Sequence, residues 1–144
     1  MKKLFIIVLT LLLCACSNKE KEPVRHLQKD VQLSFFYIDT CSECKEFKEK
    51  AIPYLKEQFA NQIQINLYNL DDVGVEDVYD PIIDKLEYFD EEYYGMGPFI
   101  VVEDYFALLG YTTGDELYLA DDIEKAVLNE ELSLELSNRM EFKK

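Results

Sequence analysis

The pattern of apolar and polar positions predicts a buried strand followed by a long helix at the start of the folded part of the chain. Residues 31–38 pass from alternation into a continuous run of apolar and aromatic side chains, which is typical of a strand buried on both faces. From Ser42 to about Phe59, apolar residues recur at helical spacing with lysine and glutamate between them, which predicts a helix. Pro53 lies within this stretch, so we expect the helix to be kinked or divided there.

Three later segments have the pattern of strands. Residues 62–68 alternate between polar and apolar side chains, and residues 99–102 form a short apolar run. Residues 105–109 follow after a short turn, so these last two strands must form an antiparallel hairpin. The first two strands are separated by a helix, which requires a parallel pair with a right-handed crossover.

Two further helices are predicted, one between the second and third strands and one after the last strand. Asp80 is placed to cap a helix that has Pro81 in its first position. Asp121 or Asp122 is placed to cap the last helix. The element order β-α-β-α-β-β-α predicts an α/β domain in which helices flank a four-stranded mixed sheet.

Residues 1–15 are interpreted as a signal peptide and not as part of the fold. Lys2 and Lys3 supply a positive start, and the apolar stretch Leu4–Leu13 is shorter than the roughly 20 residues that span a bilayer. The sequence Leu-Cys-Ala-Cys that ends at Cys16 resembles a bacterial lipoprotein signal, which predicts lipidation of Cys16. Ordinary secretory cleavage and an uncleaved anchor are the alternatives.

After this signal we expect a charged tether, one folded domain and a tail. Residues 16–30 form the tether with its lipidated cysteine, residues 31–130 the domain and residues 131–144 the tail. The lipid anchor would hold the domain at the extracytoplasmic face of a bacterial membrane. His26, the one histidine, lies in the tether, which argues against a Cys–His or Ser–His–Asp catalytic group in the domain. The net charge of −14 repels nucleic acid, so no nucleic-acid partner is expected.

Two cysteines at the junction of the first strand and the first helix carry the main signal for chemistry. The sequence Cys41-Ser-Glu-Cys44 puts Cys41 near the helix N-terminus, where free N–H groups and the helix dipole favour a thiolate. Cys44 lies one turn further on and can close a disulfide with it. Once Cys14 leaves with the signal peptide and Cys16 is lipidated, no other thiols remain, in a compartment where disulfides persist. A disulfide across so short a loop stabilises little, so thiol–disulfide chemistry is the better explanation.

The element order, with a Cys-x-x-Cys after the first strand and Gly97-Pro98 opening the third, resembles the thioredoxin superfamily over nearly the whole predicted domain. The resemblance implies a thioredoxin-like fold that exchanges disulfides with protein substrates, with Cys41 as nucleophile and Cys44 as resolving cysteine. It also implies that Pro98 follows a cis peptide bond beside the cysteines and that Gly97 and Thr40 contact the substrate. A trans proline opening an edge strand is the alternative. The nine residues that end at Cys44 are more weakly similar to thioredoxin-like accessory proteins of bacteriocin clusters.

The sequence departs from thioredoxins proper at the site itself. Thioredoxins have a tryptophan before the first cysteine and Gly-Pro between the pair, whereas this chain has Thr40, Ser42 and Glu43. They also carry a buried aspartate beneath the pair that helps proton transfer, and the matching position here is Phe35. The candidates that replace this aspartate are Asp39, Glu43 and solvent.

The expected reaction needs no cofactor and begins with attack of the Cys41 thiolate on a substrate disulfide. Cys44 then releases the reduced substrate, and the same steps in reverse oxidise a dithiol. Glu43 and the nearby Asp39 oppose the helix dipole by like-charge repulsion, which favours a reductase or isomerase over an oxidase. The expected redox partner is an electron donor in the membrane, or an acceptor if the reaction runs the other way.

Two other kinds of function are compatible with the sequence. Two cysteines are half of a zinc site and can bind Cu(I), although copper chaperones have a methionine where this chain has Asp39. The acidic, tyrosine-rich stretch 71–94 would be the recognition surface of a binding module that has the same fold and no redox activity. A Cys41→Ser substitution separates this second hypothesis from exchange, because a binding module keeps its function and an exchange enzyme loses it.

Overall fold

The computed structural model describes residues 22–144, which form an α/β fold around a five-stranded mixed sheet. The strands are β1 (Val31–Tyr37), β2 (Ile63–Asn69), β3 (Phe99–Val102), β4 (Phe106–Leu109) and β5 (Arg139–Glu141). The helices are α1 (Ser42–Glu46), α2 (Ile52–Phe59), α3 (Glu76–Ile83) and α4 (Asp115–Val127). The sheet order is β2-β1-β3-β4-β5, and the predicted parallel β1-β2 pair and antiparallel β3-β4 hairpin are both present.

Strand β1 lies inside the sheet and is buried on both faces. Leu33 and Phe35 face a core shared with α1, α2 and α4, whereas Phe36 faces a second core shared with α3. Phe36 packs on Tyr79 of α3 and on Phe99 of β3, with ring centroids 5.1 and 5.8 Å away. Because hydrophobic layers cover both faces, the strand reads as an apolar run and not as a simple alternation.

Pro53 lies where the first long helix is divided, as predicted. Between α1 and α2 the segment Phe47–Ala51 forms a π-helical turn, in which the Ile52 N–H donates to the carbonyl oxygen of Phe47. Pro53 has no N–H to donate, and the wider turn just before it changes the hydrogen-bond pattern without ending the helix. The helical segment therefore continues to Phe59, and its first turn carries the cysteine pair.

The predicted start of the second helix is wrong. Helix α3 begins at Glu76, so Asp80 is not its N-cap and Pro81 lies inside it. The earlier start includes Tyr79, which is fully buried against the sheet. The Asp80 carboxylate instead accepts a hydrogen bond from the Tyr94 hydroxyl, at 2.7 Å. Tertiary packing of a tyrosine thus decides where the helix begins, and the local Asp-Pro signal does not.

The last helix also begins earlier than predicted. Helix α4 starts at Asp115, whose carboxylate accepts a hydrogen bond from the Thr112 N–H at 2.8 Å. Asp122 is not a cap, because it lies in the middle of α4 and is fully buried. Asp121 lies on the partly exposed side of α4, where it pairs with Arg25. Both aspartates therefore make tertiary contacts, which a local capping pattern does not distinguish from caps.

The C-terminal residues 131–144, which we call the C-terminal strap, pack on the domain and do not form the predicted tail. Strand β5 lies in the C-terminal strap and pairs antiparallel with β4, so the sheet has five strands and not the predicted four. Leu136 is buried in the main core, and Phe142 forms a bridge with Leu86 just after α3. Because β5 has three residues, it is too short for an alternating pattern to identify it.

Part of the predicted tether packs against the domain as well. Leu27 is buried in the main core. Arg25 binds Gln58 of α2 together with Asp121 and Glu124 of α4. The folded part of the chain therefore begins several residues before the predicted boundary.

The predicted signal peptide (residues 1–15), the predicted lipidation site Cys16 and residues 17–21 of the predicted tether lie outside the described residues. His26 lies within them and is exposed to solvent, away from the core. No helix in the described part of the chain has both the length and the apolar character needed to cross a bilayer.

Candidate active site

The cysteine pair lies where the chain turns from β1 into α1. In this turn the Cys41 N–H donates to the carbonyl oxygen of Ile38, at 3.1 Å. Cys41 is the N-cap of α1, because its backbone is extended and its sulfur accepts a hydrogen bond from the Cys44 N–H, also at 3.1 Å. Cys41 and Cys44 form a disulfide with 5.2 Å between their Cα atoms. The strand-to-helix junction thus holds both sulfurs at the C-terminal end of β1.

The two cysteines differ in their access to solvent. Cys41 is partly exposed, whereas Cys44 is 1% exposed and belongs to the main core. A second molecule therefore reaches Cys41 before Cys44, which is the asymmetry that an attacking and a resolving cysteine require. Thr40 is exposed on the turn beside Cys41.

Gly97 and Pro98 lie directly against the cysteine pair. The Gly97–Pro98 peptide bond is cis, in agreement with the expectation from the sequence. The carbonyl oxygen of Gly97 is 3.5 Å from the Cys41 sulfur. A Cβ atom at position 97 would lie 3.1 Å from the Cys44 sulfur and 3.3 Å from the carbonyl oxygen of Phe36. The space between β1 and the disulfide therefore leaves little room for any side chain at this position.

We expect Gly97→Ala to destabilise the oxidised protein. The added methyl group would crowd the Cys44 sulfur and a backbone carbonyl that β1 holds in place. Overpacking of this kind lowers the free energy of unfolding by about 1–3 kcal/mol, which urea denaturation measures. Met96→Ala is the control, because Met96 is 49% exposed and its truncation should change that free energy by less than about 0.5 kcal/mol. Equal losses in the two variants would contradict the steric requirement at Gly97.

The acidic side chains closest in sequence to the cysteines are at the surface. Asp39 accepts a hydrogen bond from a neighbouring asparagine side chain at 3.1 Å, and Glu43 accepts one from the Tyr111 N–H at 3.4 Å. Phe35, by contrast, is fully buried and stacks on Phe47, with 4.5 Å between ring centroids. The core around Cys44 is therefore apolar, and the carboxylates lie on the solvent side of the pair.

Sequence patterns do not identify Tyr111, in the loop between β4 and α4, or Glu116, in the first turn of α4. The Tyr111 hydroxyl donates to the Glu116 carboxylate at 2.6 Å. Burial and this hydrogen bond raise the pKa of Tyr111 well above its usual range. Burial alone would raise the pKa of Glu116, but hydrogen bonds from the Tyr111 hydroxyl and the Gly114 N–H outweigh it and lower that pKa. The available sequence signal is a tyrosine within a glycine-bounded break after β4.

The acidic, tyrosine-rich stretch 71–94 belongs partly to the core and partly to the surface. Tyr79 of α3 is buried in the core between that helix and the sheet. Tyr88 and Tyr93 are instead 71% and 43% exposed. Only part of the stretch is therefore available as a recognition surface.

The structure brings together the predicted site residues Cys41, Cys44, Gly97 and Pro98, with Thr40 on the adjoining turn. Among residues 22–144, no three histidine, cysteine or acidic side chains are grouped closely enough to hold a metal ion.

Comparison of the chain with protein-family models, with curated proteins and with solved structures finds no match.

Proposed function

We propose that this chain is a thiol–disulfide oxidoreductase with a thioredoxin-like fold, acting on protein substrates through Cys41 and Cys44. The observation that carries the proposal is the disulfide at the start of α1, with one cysteine partly exposed and the other in the core. The close approach of Gly97 to both sulfurs supports it. The sheet order, with β2 parallel and β3 antiparallel to β1, is compatible with the proposed fold.

The proposed reaction starts from the reduced cysteine pair. The Cys41 thiolate attacks one sulfur of the substrate disulfide, which forms a mixed disulfide and releases the other substrate sulfur as a thiolate. Cys44 then loses its proton and attacks the Cys41 sulfur, which forms the intramolecular disulfide and releases the second substrate thiolate. Two electrons pass from the pair to the substrate, and protons neutralise the released thiolates. The reverse sequence oxidises a substrate dithiol.

The charges and dipoles around Cys41 favour a reductase or isomerase over an oxidase. The Cys44 N–H donates to the Cys41 sulfur and stabilises negative charge there. The carbonyl oxygen of Gly97, 3.5 Å from the same sulfur, acts in the opposite direction, as do the nearby carboxylates of Glu43 and Asp39. These negative groups disfavour the thiolate and with it the reduced form, which makes the pair a better reductant.

Cys44 must lose its proton in an apolar part of the core. Phe35 occupies the position at which thioredoxins carry a buried aspartate, and it stacks on Phe47. We therefore expect the proton to leave towards water on the side of Glu43 and Asp39, whose carboxylates are exposed. Proton release would then be limited by solvent access and not by a fixed internal base.

We further propose that a lipid on Cys16 anchors the domain at the extracytoplasmic face of a bacterial membrane. The signal-like sequence of residues 1–15 supports this proposal. Arg25 is fixed to the domain, and a fully extended chain from Cys16 to Arg25 spans at most roughly 32 Å. The domain would stay close to the bilayer, where a membrane protein acts as electron donor for a reductase or acceptor for an oxidase.

The equilibrium potential of the cysteine pair tests the proposal and its direction. The full chain, with Cys14 and Cys16 replaced by serine, would be titrated in detergent against reduced and oxidised glutathione, with thiol trapping and mass readout. We expect a potential below about −180 mV, towards the thioredoxin value of about −270 mV. A value near about −120 mV would make the protein an oxidase and overturn the direction. Failure of the reduced pair to exchange with glutathione disulfide would overturn the function itself.

A further inference from the structure

A groove of about 380 Å³ is lined by Glu43 of α1, by the loop that follows β4 and by the C-terminal strap. Its lining includes four apolar side chains that are almost fully buried, namely Ile100, Leu108, Leu119 and Leu136. Its charged lining residues are all acidic, namely Glu43, Asp115 and Glu135. The groove thus combines a few apolar side chains with negatively charged ones.

One end of the groove is lined by Glu43. Glu43 belongs to the first turn of α1, between the two cysteines, and its carboxylate accepts a hydrogen bond from the Tyr111 N–H at 3.4 Å. Gly110, which lines the groove, has a φ of +88°, a left-handed conformation that favours glycine. The groove therefore begins at a residue two positions from Cys41, the cysteine that would be joined to a substrate polypeptide.

The lining of the groove contains no basic residue to neutralise its acids. Asp115 accepts a hydrogen bond from the Thr112 N–H, and Glu135 is exposed. Lys50 donates to the hydroxyl of Thr113 on the same loop, but neither residue lines the groove. Negative charge in a cleft with low-dielectric walls attracts a cationic ligand more strongly than the same charge on an open surface.

We propose that this groove binds a basic segment of the substrate polypeptide, next to the cysteine that forms the mixed disulfide with Cys41. The inference rests on the proposed thiol–disulfide exchange and names its substrate class. The charged end of a lysine or arginine side chain lies among the carboxylates of the groove, and its aliphatic part contacts the apolar side chains of the lining. The C-terminal strap, as one wall of the groove, then helps to determine which disulfides react.

Single-turnover oxidation of the reduced protein by two synthetic peptides tests this inference. Both peptides contain one intramolecular disulfide, flanked by lysines in one peptide and by glutamates in the other. The full chain, with Cys14 and Cys16 replaced by serine, is reduced, freed of reductant and mixed with each peptide in non-ionic detergent at low ionic strength. Each peptide disulfide takes up two electrons and two protons as the Cys41–Cys44 disulfide forms, and thiol trapping after rapid quenching gives the rate.

Two charge reversals that change the net charge equally distinguish attraction of the lysine peptide by the groove from attraction by the whole protein surface. Glu135→Lys changes the groove wall, whereas Glu130→Lys changes an exposed carboxylate just after α4 that does not line the groove. We expect the lysine peptide to react on the order of tenfold faster than the glutamate peptide. Glu135→Lys should lower this ratio by about threefold or more, and Glu130→Lys should leave it nearly unchanged.

The two peptides and the two variants give four distinguishable outcomes. A ratio lowered by Glu135→Lys alone supports the groove as the binding site for the basic segment. Equal rates for the two peptides would overturn the inference and leave the exchange function intact. Equal effects of the two charge reversals would overturn it too, because the preference would then come from the whole surface. Absence of exchange with both peptides would overturn the proposed function and this inference with it.

Discussion

Replacing Cys44 by serine is expected to convert the protein from an exchange catalyst into a trap for its substrates. Cys41 in this variant still attacks a substrate disulfide, but the mixed disulfide persists because no second thiol is in reach to release it. Cys41→Ser should instead lower exchange to background, by roughly 10³-fold or more, because the exposed nucleophile is gone. Mass spectrometry under non-reducing conditions, after reaction with a peptide disulfide, measures the mixed disulfide in both variants.

The two single variants are compared in a background without Cys14 and Cys16, and the variant that also lacks both Cys41 and Cys44 is the control for thiol-independent binding. A binding module would keep its affinity for its partner in every variant and would accumulate no mixed disulfide. If Cys44 in the Cys41→Ser variant formed a mixed disulfide as fast as Cys41 does in Cys44→Ser, the assignment of the nucleophile would be wrong. Burial of Cys44 at 1% exposure is the physical reason to expect a large difference.

The cysteine pair is predictable from the sequence because its signals are local. Cys41 and Cys44 lie one helical turn apart, and the apolar patterns before and after them identify a strand-to-helix junction. The approach of Gly97 to the pair is of a different kind, because it joins residues 56 positions apart in the chain. Only the resemblance to a known family indicates that contact, since no pattern within one element contains it.

Side chains whose partners are distant in the chain are not predictable in this way. Asp121 and Asp122 both have the pattern of a helix cap, yet Asp121 binds Arg25, which is 96 positions away. Asp122 is buried against Ser133 and Arg139 of the C-terminal strap. A carboxylate that caps a helix and one that binds a distant arginine have the same local sequence, so the structure alone separates them.

For the same reason, sequence patterns do not predict that the C-terminal strap packs on the domain or that it forms one wall of the groove. Strand β5 is stabilised by pairing with β4 and by contacts of its neighbours, so its own three residues carry little signal. Glu135 is therefore not a predicted site residue, although it faces the same groove as Glu43. A substrate-binding surface built from segments far apart in the chain becomes visible only in the folded protein.

Asp122→Ala is expected to lower the free energy of unfolding by about 3–5 kcal/mol. The Asp122 carboxylate is fully buried and accepts hydrogen bonds from the Ser133 N–H and hydroxyl, at 2.8 and 3.1 Å. It also accepts one from the Arg139 guanidinium at 3.0 Å. Its removal leaves an arginine that is 15% exposed without a counter-charge and leaves the Ser133 donors without an acceptor. Urea denaturation followed by tyrosine fluorescence measures the loss.

Asp121→Ala is the matched control, one residue earlier on the same helix. The ion pair of Asp121 with Arg25 is partly exposed, with side chains 48% and 25% accessible, so its loss should cost no more than about 1 kcal/mol. Asp122→Asn keeps an oxygen acceptor for Ser133 and should lose less stability than Asp122→Ala. Similar losses for Asp121→Ala and Asp122→Ala would contradict the structural role of the buried ion pair.

The ion pair of Asp122 with Arg139 also fixes the C-terminal strap, which is one wall of the groove. Because Asp122 holds the C-terminal strap against α4, amide protons of β5 should exchange with solvent faster in Asp122→Ala, while those of β1 keep more of their protection. When the C-terminal strap is no longer fixed, Glu135 occupies many positions. The rate for the lysine peptide relative to the glutamate peptide should therefore fall as well. The reaction of Cys41 itself should continue, because the disulfide is held by β1 and α1 and not by the C-terminal strap. Loss of substrate preference with retained exchange is therefore the result that distinguishes a loosened groove wall from a damaged active site.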